Sequence, residues 1–86
     1  MMVKNPLSDN EYQIMELLWR ANKPLSKRDI IDSMPVKGWK ESSIYILINS
    51  LLDKKMIEIS GFVQSHTNYG RTFIPSITKE AYLINI

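Results

Sequence analysis

Two short stretches of this 86-residue chain obey one local rule, and that rule constrains the fold more than any other feature of the sequence. Leu7-Ser8-Asp9-Asn10-Glu11-Tyr12 and Leu25-Ser26-Lys27-Arg28-Asp29-Ile30 each set a serine three residues before an acid, with an apolar residue on either flank. A serine so placed accepts from the amide of the third helical residue, the acid reaches back to the serine's own amide, and the apolar pair staples the entering chain. Each stretch therefore starts a helix. In the first, Ile14, Leu17, Leu18 and Ala21 fall on one face, and Lys23-Pro24 ends it near Arg20 to Asn22. The second is short: it offers Ile30, Ile31 and Met34 to a core and stops before Pro35.

After the connector Pro35-Val36-Lys37-Gly38-Trp39, the spacing of Ile44, Leu47, Ile48, Leu51 and Leu52 predicts a third helix from Glu41 to Lys55, with Lys54 and Lys55 near the negative end of its dipole. Met56-Ile57-Glu58-Ile59-Ser60 then alternates as a half-buried strand does, and Arg71-Thr72-Phe73-Ile74-Pro75 is a second strand-forming run. Gly61 to Gly70 reads as a long polar loop between them, and Thr78 to Leu83 as the start of a last helix. Three helices followed by a hairpin, with Pro24-Leu25-Ser26 available as a third short strand, is the order of a winged helix-turn-helix. The expected class is mainly α with a two- to three-stranded antiparallel sheet (α+β). The expected division is a tail over 1–6, the winged helix over 7–77 and the start of a C-terminal helix over 78–86.

Composition agrees with one folded domain, since 44% of residues are hydrophobic and 23% charged, too apolar for disorder. A chain of this size buries only about 60 to 70% of its surface, which leaves little interior for a catalytic cleft. The three glycines at 38, 61 and 70 make no phosphate loop, and no paired carboxylates or Ser-His-Asp frame can be assembled. No enzyme is expected. With no cysteine and a single histidine, neither a disulfide, a metal site nor any other cofactor is indicated. No apolar run approaches the roughly 18 residues of a membrane span, so a cytoplasmic protein is expected. The net charge of +2 permits contact with nucleic acid without requiring it.

In a winged helix the third helix is the element that enters a major groove, while the wing reaches flanking backbone or the minor groove. Removing the core stripe leaves Lys40, Glu41, Ser42, Ser43, Tyr45, Ile46, Asn49 and Ser50 facing outward. Ser42 and Ser43, near the positive helix end, suit a phosphate; Asn49 suits a bidentate contact to adenine; Tyr45 and Ile46 suit thymine methyl groups. Lys27, Arg28, Lys40 and Arg71 are the candidate contacts to DNA backbone, and His66 and Asn68 lie in the wing. The competing reading is a protein-binding winged helix or accessory subunit with weak or no DNA binding. Few cations on helix three, beside exposed Tyr45 and Ile46, are what such a module shows.

The pattern Leu7-Ser8-x-x-Glu11-x-x-Ile14-Met15-x-x-Leu18-Trp19, then Ile30-Ile31, then Trp39-x-x-x-Ser43-Ile44-x-x-Leu47-Ile48-x-x-Leu51-x-x-Lys54-Lys55-x-Ile57 resembles the DNA-binding domain of the penicillinase-repressor family of BlaI and MecI, which includes the copper-responsive CopY repressors. It spans roughly residues 7 to 83, mostly core positions; Trp19 and Trp39 are its most distinctive members, read as large rings closing the core. The resemblance implies a bacterial homodimeric repressor that binds double-stranded DNA at a palindromic operator, each protomer placing helix three in a major groove. Two departures stand out. Members usually carry basic and threonine side chains where this chain has Ser42, Tyr45, Ile46 and Ser50, and they continue into a helical dimerisation and switch region that is largely absent here. Either the chain is one domain of a longer protein or it is a naturally short relative.

Overall fold

The computed structural model of the protein describes residues 7–34, 39–64 and 69–84. Helix α1 runs Asp9–Ala21, strand β1 Leu25–Ser26 and helix α2 Lys27–Ser33. A 3₁₀ turn over Glu41–Ser43 leads into α3, Ile44–Asp53; strands β2, Ile57–Gln64, and β3, Tyr69–Pro75, form the wing, and α4 covers Lys79–Ile84. The sheet is antiparallel in the order β1-β3-β2. This is the α+β winged helix expected from the sequence.

Both serine boxes form. Ser8 Oγ accepts from the Glu11 amide at 3.2 Å while Glu11 Oε1 accepts from the Ser8 amide at 2.8 Å. Ser26 and Asp29 repeat the exchange at 3.1 Å in each direction. The staple residues Leu25 and Ile30 are in the core, and Leu7 and Tyr12 pack half-buried against it. One continuous core joins Ile14, Met15 and Leu18 of α1 to Ile30 and Ile31 of α2, Ile44, Ile48 and Leu51 of α3, and Phe73 of the wing. Trp39 is buried in it. Trp19 stands at its margin, where the ring donates to the Ile77 carbonyl at 2.8 Å and meets Tyr12 edge-on and Tyr82 of α4 at a tilt. With the Lys79–Glu16 ion pair at 2.8 Å, these contacts fasten α4 to α1.

Four expectations are corrected. The third helix does not begin at Glu41: no side chain caps the turn, and the amide of Ser43 is spent on the Lys40 carbonyl at 2.8 Å, so regular α geometry waits until Ile44. Its core stripe is narrower than the periodicity suggests, with Ile44, Ile48 and Leu51 buried and Leu47 and Leu52 only half-buried. The stretch Gly61 to Gly70 is not one long loop, because Gly61–Gln64 and Tyr69–Gly70 pair as strand and leave only 65–68 outside the described residues.

Ser50 is the fourth correction, and it exposes the main cross-link of the fold. Instead of facing outward, its hydroxyl donates to Glu11, whose carboxylate also takes the Lys54 ammonium at 2.6 Å. Glu11 is 3% exposed, so the helix-capping acid doubles as a tie between α1 and the far end of α3. Burial alone would raise its pKa. Hydrogen bonds from Lys54, Ser50 and the Ser8 amide, with the charge of Lys54, outweigh that and hold it at about 2.

Beyond Lys54, α3 ends with the Met56 amide on the Leu51 carbonyl at 2.9 Å and the Lys55 amide on Leu52 at 3.0 Å, a Schellman closure with Lys55 at φ 60°. That left-handed position favours glycine, so Lys55→Gly is expected to raise stability by about 0.5 to 1 kcal/mol in denaturant unfolding. The Glu11 carboxylate, depressed in the folded state, contributes stability that is complete above its unfolded value of 4.5 and lost as pH falls toward about 2. Acid titration of the unfolding free energy should show that loss, at most about 3 kcal/mol, and Glu11→Gln should flatten it while lowering stability at neutral pH.

Candidate nucleic-acid interface

The outward face of α3 begins from its core stripe. With Ile44, Ile48 and Leu51 turned inward, Tyr45 and Asn49 stack one turn apart on the opposite side and Ile46 stands beside them. Tyr45 is 60% exposed and Ile46 71%, and Asn49 and Ser42 are also exposed. Ser43 is half-buried. Ser42 and Ser43 lie in the 3₁₀ turn rather than on the first turn of a regular helix, which weakens the helix-end field they were expected to exploit.

The four predicted backbone cations have different surroundings. Lys27, first residue of α2, is half-buried: its ammonium lies 4.8 Å over the Tyr45 ring and 5.8 Å over that of Phe73. Burial lowers its pKa, and the like charge of Arg71 on β3 lowers it further. Neither Lys27 nor Arg71 has an acid within ion-pair distance among the described residues. The fold thus gathers the start of α2, the start of α3 and the wing around two cations and an aromatic ring. Among the sequence candidates, Lys27, Tyr45 and Arg71 are brought together; Arg28 is not. Arg28 pairs with Asp32 at 2.9 Å and approaches Glu41 at 3.7 Å, all three exposed, and the bond to Asp32 raises its pKa. Exposed pairs of this kind contribute little, so a phosphate can exchange for them. Lys40 is exposed at the entry to the 3₁₀ turn. His66 and Asn68 lie outside the described residues.

Sequence reasoning missed Phe62. It is 70% exposed on β2 and directly opposite Arg71, in a stretch assigned to a polar loop; the strand-forming pair Phe62-Val63 was the available signal. Among the described residues, no group of three His, Asp or Glu side chains is placed to hold a metal, and no helix is long and apolar enough to cross a membrane.

Because Arg71 is one of two causes of the lowered Lys27 pKa, Arg71→Gln should move that pKa part of the way back up, leaving the contribution of burial. A side-chain NMR titration of Lys27 reads this directly, and an unchanged value would remove Arg71 from the cluster.

Compared with known families, the chain matches the sequence model described as penicillinase repressor over residues 7–85. No curated protein and no solved structure matches it significantly.

Proposed function

The chain belongs to the penicillinase repressor family, a family of DNA-binding transcriptional regulators rather than enzymes, and on that premise we propose that it is a sequence-specific repressor acting at a palindromic operator. Two protomers each set α3 in a major groove, with the wing on the flanking DNA. Ser42, Ser43, Tyr45, Ile46 and Asn49 read bases or adjoining phosphates. Lys27, Arg28, Lys40 and Arg71 hold the backbone and fix register without reading sequence. The observation that carries this reading is the exposed α3 face set beside Lys27 and Arg71, cations from two other elements that have no acid partner among the described residues.

A second reading, a protein-binding winged helix or accessory subunit, draws on the exposure of Tyr45 and Ile46 on a helix whose outward face carries no cation between Glu41 and Asn49. The two differ in what salt does. Each neutralised phosphate contributes about −0.9 to the slope of log affinity against log salt, so four cations give about −4 per protomer.

The test is a titration of the protein against duplexes it selects from a random-sequence pool, beside scrambled duplexes, at two salt concentrations. Selective binding, two protomers per duplex and a slope of that order are expected. Asn49→Ala should cost about tenfold on the selected duplex and little on the scrambled one. Equal binding to both duplexes, with tight capture of a protein partner instead, would replace the repressor reading by the second one. Tyr45→Ala binding unchanged would remove Tyr45 from the readout set.

A further inference from the structure

Phe62 owes its position to an irregularity in the wing. In the β2–β3 ladder Ile59 pairs with Phe73, yet the next pair is Gly61 with Thr72, so Ser60 is an extra residue on β2. Its hydroxyl is joined to that of Thr72 at 2.9 Å, which fastens the bulge. In an unbroken ladder the residue opposite Arg71 would be Gly61. The bulge shifts the parity by one and puts Phe62 there instead, on the sheet face shared by Arg71 and Phe73. Directly opposed residues share a face, so Phe62 and Arg71 project from the same side of the wing.

That face is continuous with the α3 surface. The Lys27 ammonium lies over both Phe73 and Tyr45 and feels the charge of Arg71, so the order across the surface is Tyr45, Lys27, Arg71, Phe62. Glu58, the acid of β2, is next to Ile57 and Ile59 in the strand and so points to the other face. Two cations flanked by two aromatic rings, with no carboxylate on that side of the described wing, match a partner that is both anionic and apolar along one edge. Duplex DNA has that chemistry, in its phosphates and in the deoxyribose walls of the minor groove.

Resting on the DNA-binding reading, we propose that Phe62 is the wing's contact with the minor groove: its ring packs on the sugar wall while Arg71 opposite it holds the adjoining phosphate. An apolar side chain used in this way adds affinity without releasing a counterion. The experiment compares wild type, Phe62→Ala, Phe62→Leu and Arg71→Ala on the duplex that wild type selects from a random pool, across a range of salt concentrations. Phe62 is exposed, so its variants keep the fold, which thermal unfolding verifies. Phe62→Ala should weaken binding about tenfold with the salt slope unchanged, and Phe62→Leu should recover part of the loss. Arg71→Ala should lower the slope by about one. Phe62→Ala binding as tightly as wild type, or changing the slope as Arg71→Ala does, overturns the assignment of Phe62 and leaves DNA binding standing. A wild type that binds no duplex overturns both.

Discussion

The carboxylate of Glu11 is the interaction on which the geometry of this protein depends. One oxygen accepts from the Ser8 amide and the Lys54 ammonium, the other from the Ser50 hydroxyl, so the start of α1 is joined to the last turn of α3. A buried ion pair is often no better than an apolar replacement, because both charges lose water. Here the carboxylate keeps several donors, and Lys54 remains partly in solvent. What such a tie adds is orientation: the buried Ile44, Ile48 and Leu51 stripe sets the inward face of α3, and a carboxylate that must meet Ser50 and Lys54 together narrows its rotation further. That rotation is the one that turns Tyr45, Ile46 and Asn49 outward.

The same tie explains how far the sequence could be read. Both serine boxes were legible because they act within three residues, and the core stripe of α1 because it follows one period. Ser50 was not, since its partner lies 39 residues away and its position on a helical wheel is compatible with solvent. The start of α3 was misplaced for want of a cap: periodicity locates a buried face but not the residue at which i to i+4 bonding begins. The wing was underestimated for a different reason. Ile59 and Phe62 are three apart, an odd spacing that looks like the end of alternation until the extra residue Ser60 is known. A bulge is a property of two paired strands, and one strand's sequence does not contain it.

The candidate site divides along the same line. Residue types on α3 were legible, and so was the presence of cations around it. Their partners were not: Lys27 and Arg28 are neighbours in sequence, yet Lys27 is turned onto Tyr45 and Phe73 while Arg28 is turned to Asp32 and Glu41. Adjacent residues on a helix are about 100° apart, so one reaches the wing side and the other the exposed side of α2.

The weak charge of the exposed α3 face follows from this arrangement. Lys54, the cation that closes α3, serves the Glu11 tie, and the exposed stretch from Ser42 to Asn49 contains none. In the proposed DNA-binding role, positive charge beside that face comes from α2, from Lys40 before the 3₁₀ turn and from β3, with the Lys27 ammonium 4.8 Å over the Tyr45 ring. Those cations, proposed to lie on phosphates, position the helix and supply the salt-dependent share of binding that every sequence receives alike. In the proposed role, discrimination between sites rests on short-range contacts from Tyr45, Ile46 and Asn49, which contribute only when shape and base edges match. A reading head of the proposed kind separates the two terms: cations from other elements carry the attraction that every sequence shares, and the uncharged α3 face carries the selectivity.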